Sequence, residues 1–146
     1  MSLQTDIIFV KAISSNAALM AKLPAHGVYN TAIPVPKEGD ANVKIPYVLV
    51  SYSGMENENR TKDSFEGQND KVEIQVEIAA RNRNELAELS ETIRETIRDY
   101  FENADPRDED FELIPEDYHL SASAVMLDDA KPCHWQILSY SCDTNI

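Results

Sequence analysis

The sequence predicts an α+β fold: a mostly antiparallel four- to five-stranded sheet with two main helices packed on one face. Three observations predict it. Residues 84–102 carry apolar side chains at helical spacing, residues 71–80 alternate apolar and polar with period two, and the connections between neighbouring strands are short enough for hairpins. The chain has 146 residues, one domain at roughly 100–200 residues each. Hydrophobic residues make up 42% and charged residues 27%, which excludes collagen, coiled coil and wholesale disorder.

Taken in order, residues 3–14 read as a helix, with Leu3, Ile7, Val10 and Ser14 on one stripe that Ile8 and Ala12 widen. Asn16 is placed to cap a second short helix, Ala17 to Leu23, which Pro24 and Gly27 stop. Val28 to Ile33 is β-prone but abuts Pro34 and Pro36, so it is an edge strand at most. Ile45 to Ser53 is a clearer strand, apolar on both faces around Tyr47-Val48-Leu49-Val50. Residues 54–70 have almost no apolar content and read as a protruding loop or hairpin, which in a compact domain is a functional or disordered segment.

Lys71 to Ala80 is the strongest strand: Val72, Ile74, Val76 and Ile78 face one way, Glu73, Gln75 and Glu77 the other. Asn84 to Glu102 is the strongest helix, with Leu86, Leu89, Ile93, Ile97, Tyr100 and Phe101 on one stripe and Asn82 or Asn84 as cap. Glu91–Arg94 and Glu95–Arg98 have the spacing of helical ion pairs. Residues 102–117 form an acidic loop in which Arg107 alone opposes the charge and Pro106 and Pro115 prevent regular structure. Tyr118 to Leu127 reads as one strand with Leu120, Ala122, Ala124 and Met126 on one face; a turn at 128–132 then leads to a last antiparallel strand, Cys133 to Asp143.

Charge narrows the function. Against 26 acids stand 13 bases, a formal net charge of −13. A nucleic-acid binder held by phosphate contacts needs a basic face, so direct sequence-specific nucleic-acid binding is not expected, and an anionic membrane surface is equally disfavoured. The excess acid serves solubility, or a surface that must not stick to DNA. The apolar runs fall far short of the about 20 residues of a membrane span. The N-terminus has no basic region followed by an apolar one, which predicts cytosolic synthesis and reduced cysteines. Cys133 and Cys142 lie in one predicted strand, nearly 30 Å apart at about 3.3 Å per residue, and so read as free thiols.

Catalytic constellations are missing. There is no Gly-x-Ser-x-Gly elbow and no phosphate-cradling glycine loop. His119 with Ser121 or Ser123 reads as edge or surface polarity. Cys133 and His134 are adjacent, so in a strand they point to opposite faces and cannot chelate one ion with Asp128, Asp129 or His119. The acidic run from Asp105 to Glu112 lacks the glycine and spacing of a calcium loop. No catalytic residue, cofactor or metal is therefore expected. Trp135 reads as core, with a subunit contact as its alternative. The 54–70 segment carries Met55, Arg60, Lys62 and Phe65; it is either a solvated tip or an arm that orders on a neighbouring copy, anchored by Phe65.

The order of elements resembles the tail-completion proteins of long-tailed bacteriophages, the tail-terminator or head–tail joining family. The resemblance rests on a leading helix and a short second one (Ala17 to Leu23), Val28-Tyr29 before prolines, the strand Ile45-Pro46-Tyr47-Val48-Leu49-Val50 and a polar loop. An alternating strand, Val72 to Ile78, the helix from Asn84 to Phe101, and a closing hairpin through Trp135 to Tyr140 complete it. The acidic segment 102–117 departs from the pattern. What the resemblance implies is a non-enzymatic virion component that assembles as a ring, often a hexamer, on the tail tube and meets neck or head-completion proteins. It would reside in the host bacterial cytoplasm during assembly and in the virion tail afterwards. Met55, Arg60, Lys62, Phe65 and Trp135 are the subunit-interface candidates. Two rivals stand beside this expectation. One is a small α+β ligand-binding or regulatory domain, or an uncharacterised enzyme, with a pocket lined by groups such as His119 and His134. The other is an adaptor whose acidic loop binds a basic partner.

Overall fold

A computed structural model describes residues 5–23, 27–30, 45–59, 68–109, 111, 114–115, 117–128 and 133–145. The element order is α1 (Thr5–Ser14), α2 (Ala17–Lys22), β1 (Val28–Asn30), β2 (Tyr47–Asn59), β3 (Gln68–Ala80), α3 (Arg83–Glu102), β4 (Asp117–Ala122), β5 (Met126–Asp128) and β6 (Cys133–Asn145). The α+β class is as expected. The sheet has six strands in the order β1-β2-β3-β6-β4, with β5 also paired to β6.

Two differences from the predicted sheet have physical reasons. First, β1 runs parallel to β2, Val28 opposite Val48, whereas the other strand pairs are antiparallel. A parallel pair needs a long crossover, and residues 31–46 supply that length. Second, the strand expected from Tyr118 to Leu127 is broken at residues 123–125 into β4 and β5, both paired to β6. Ser123 makes the break: its N–H donates to Ile137 O at 2.9 Å, and its Oγ accepts from Ile137 N at 3.0 Å. The register slips by one residue, from Ala122 opposite Leu138 to Met126 opposite Trp135. A one-residue slip changes faces, so Met126 does not share a face with Leu120 and Ala122 as the alternation predicted.

The polar stretch 54–70 also differs. Its outer parts are strand, with pairing from Gly54 opposite Glu73 to Asn59 opposite Gln68. Backbone pairing continues the ladder there, although the residues are polar in sequence. The rest of the 54–70 span, residues 60–67, lies outside the described residues.

One face of the sheet builds the core. Val48 and Val50 of β2, Val72 to Ile78 at alternate positions of β3, and Leu138, Tyr140 and Cys142 of β6 are buried and in register. They join one cluster with Ile8, Phe9, Ala12 and Ile13 of α1 and Leu86, Leu89, Ile93 and Ile97 of α3. Caps set where the helices start. Asn16 accepts from Leu19 N at 3.1 Å, and Asn82, rather than Asn84, accepts from Glu85 N at 2.8 Å. The Asn16 amide also donates to Thr96 Oγ1 at 3.0 Å, tying the α1–α2 corner to α3.

Ile93 is fully buried, and its replacement by alanine opens a cavity in this core. Urea titration should show Ile93→Ala losing about 2–5 kcal/mol, while Ile7→Ala, 39% exposed on α1, loses less than about 1 kcal/mol.

Candidate functional site

A groove of about 290 Å³ runs between α3 and the β4–β6 pair. Its position follows from four aromatic rings. Phe9 of α1 meets Phe101 of α3 edge-on at 5.2 Å and Tyr140 of β6 at 4.9 Å. Tyr118 of β4 lies 5.7 Å from both Phe101 and Tyr140. These rings hold β4 away from the helix, and the space above Tyr118, Leu120 and Tyr140 is walled by the polar flank of α3.

That flank presents Glu91, Arg94, Glu95 and Arg98, one stripe at spacings of three and four. The expected Glu91–Arg94 and Glu95–Arg98 pairs do not close among the described residues. Arg94 Nε instead donates to Ser90 O at 3.3 Å, and Arg98 Nε lies 3.8 Å from Asp99. The charges at the rim therefore remain open to other partners.

Tyr140 is 1% exposed, yet its hydroxyl makes no hydrogen bond among the described residues. A buried polar group without a partner costs about 1–3 kcal/mol, so this one asks for an explanation. Burial is the main cause that pushes the Tyr140 phenol far above its ordinary range; Tyr118 adds to it and Arg94 opposes it. Tyr118 is raised too, first by burial and then by the Glu102 charge, against Arg98. Both hydroxyls stay protonated and act as donors at neutral pH. The neighbouring Cys142 thiol is pushed up to about 12, by burial and then by Asp143. A thiol so protonated is a poor nucleophile. Both cysteines are free, as their placement in one strand predicted, and both are buried.

The sequence-derived candidates lie elsewhere. Met55 sits in β2 opposite Val72. Arg60, Lys62 and Phe65 fall outside the described residues. Trp135 is half-buried between Ala79 and Met126 and takes no part in the core cluster, so the core reading fails for it. The faces explain why: Leu138 and Tyr140 point to the helices, and Trp135 stands at an odd distance from both or on the opposite pleat. His119 pairs with Ser141, seven positions along β6 from His134, so the two histidines sit on opposite faces and do not converge. Among the described residues no three His, Cys, Asp or Glu side chains gather to hold a metal, and no helix is long and apolar enough to cross a membrane.

Backbone hydrogen bonds shape the described residues of the acidic segment. Turns link Asp105 to Asp108, Asp108 to Phe111 and Phe111 to Ile114, and Ile114 packs on the core. Arg107 turns back on Asp105, donating from its backbone N–H at 2.9 Å and from Nε at 3.2 Å. Its N–H first, then its guanidinium, hold the Asp105 carboxyl below the usual range.

Sequence reasoning missed the groove because Tyr118 and Tyr140 meet only through the β4–β6 register. No known protein-family model matches the chain, and no curated protein matches it either.

Two outcomes follow. Tyr140→Phe removes only the unpartnered hydroxyl, and denaturant titration should show stability raised by about 1 kcal/mol; a loss would mean the hydroxyl is bonded. The Cys142 thiol rises from 9.0 to about 12 on folding, so its stabilising contribution is complete below pH 9 and is lost as pH climbs towards 12. Cys142→Ala should therefore lose stability less steeply than the parent between pH 8 and pH 11, measured by urea midpoints.

Proposed function

We propose that the chain is a structural subunit of a phage or prophage tail. In this reading it completes or terminates the tail tube, joins it to the head, works as a ring-shaped oligomer and catalyses no reaction. The observation that carries the proposal is the β2–β3 ribbon. Its pairing runs on past Val72, whose side chain is in the core: the ladder continues to Gln68, about 14 Å further at 3.4 Å per residue. A polar ribbon of this kind suits a head-to-tail contact with a neighbouring copy, the geometry from which closed rings are made.

Two further features support it. A formal charge of −13 repels phosphate, as the lining of a DNA conduit should. The arrangement of α1 and α3, which touch each other and share one cluster with the inner row of the sheet, supports two main helices side by side on one face, the architecture expected of the family. The partners of this reading are further copies, tail tube protein and neck or head-completion proteins, met in the host bacterial cytoplasm and kept in the virion tail. A rival reading, a small α+β ligand-binding or regulatory domain, draws on the open groove and the unpartnered Tyr140 hydroxyl.

Light scattering and negative-stain electron microscopy test the proposal. Rings should form at high protein concentration or on mixing with tail tube protein, and the double change Arg60→Glu with Lys62→Glu should abolish them while leaving the fold intact. A strict monomer under both conditions, with no ring in any image, would refute it.

A further inference from the structure

We infer that the groove between α3 and the β4–β6 pair is a binding site for a small organic carboxylate. Tyr140 and Tyr118 supply hydroxyl donors from its floor, and Arg94 and Arg98 supply charge from its rim. This assignment is independent of ring formation.

Four features fit that ligand. The first is Tyr140: its side chain lines the groove, and its hydroxyl is buried with no hydrogen-bond partner among the described residues. Native structures rarely leave such a group unpaired, and a ligand oxygen is the partner it lacks. The second is the excess of donors. Both phenols are held protonated by burial, so they offer hydrogen atoms and seek acceptors. The third is the state of the arginines. Arg94 uses Nε on Ser90 O, which leaves its terminal nitrogens available as donors, and a planar guanidinium matches a planar carboxylate with two parallel bonds. The fourth is charge balance. Glu91 and Glu95 alternate with the two arginines on the same wall. The wall as a whole is therefore neutral, and an anion is held there by direct bonds to the guanidinium groups rather than by net charge.

Size and apolar content complete the description. About 290 Å³ is at the lower end of ligand pockets, enough for one ring or a short chain. Leu120 and the ring faces of Tyr118 and Tyr140 give that body an apolar seat. Arg94 and Arg98 are exposed on long arms, whose rotamers change in picoseconds to nanoseconds and can adjust to a ligand.

The full chain, carbon-13 labelled at its tyrosine rings, tests this by NMR at constant ionic strength. Benzoate should shift the Tyr118 and Tyr140 signals saturably, and its neutral isostere benzamide should not. Affinity for benzoate should fall about tenfold in Arg94→Gln, followed through both tyrosines, and in Tyr140→Phe, followed through Tyr118, as expected for loss of one charge-assisted hydrogen bond. Arg94 is exposed, so that variant keeps the fold whatever Tyr140→Phe does. The inference is overturned by shifts that do not saturate, by equal binding of benzamide or benzylammonium, or by undiminished affinity in both variants. It is also overturned if the signals follow protein concentration rather than benzoate, since the occupant would then be a second copy.

Discussion

The contact among Phe9, Phe101, Tyr118 and Tyr140 is the one on which the rest of the molecule depends. These four side chains come from α1, α3, β4 and β6, elements far apart along the chain. Rings bury large areas and favour tilted or edge-on approach, so the cluster fixes distance and angle together. It joins the first helix to the last strand and sets how far β4 stands from α3. The groove is the consequence of that spacing, because rings fill the floor but not the gap above it.

Next in importance is β3. It pairs with β2 on one side and β6 on the other, and every second residue from Val72 to Ile78 enters the core. A central strand of this kind transmits register to the whole sheet. Two interruptions then redirect side chains: the irregularity between Tyr52 and Gly54 in β2, and the break at residues 123–125. The second is locked by a polar chain in which Ser90 Oγ donates to Gln136 Oε1 at 3.1 Å and the Gln136 amide donates to Ser123 O at 2.9 Å. A long helix, the last strand and the broken strand are thus held by bonded polar groups at one end and by rings at the other.

Between those ends lies the Tyr140 hydroxyl, one of the buried polar atoms without a hydrogen-bond partner among the described residues. A core phenylalanine would fill the same space without the desolvation cost. The phenol therefore stands where stability alone would not put it, beside two arginines whose expected helical partners they do not engage. An unsatisfied buried hydroxyl and rim arginines that do not pair with Glu91 or Glu95 are separate observations, and they coincide on one groove.

Much of the fold was legible in the sequence. The period-two alternation of Val72 to Ile78, the helical stripe from Leu86 to Ile97, and Asn16 and Asn82 as caps are local patterns, because side-chain direction repeats every two or 3.6 residues whatever the partner. The free thiols were legible for the same reason, through strand length. The parallel pairing of β1, the continuation of the ladder to Asn59 and Gln68, and the face change at Met126 were not, since each depends on which backbone lies opposite. So does the candidate site. By itself the sequence determined which residues turn inward within each helix or strand. Only the tertiary structure decided that Tyr118 and Tyr140 meet beneath Arg94 and Arg98, because cross-strand register is a non-local choice that no single segment encodes.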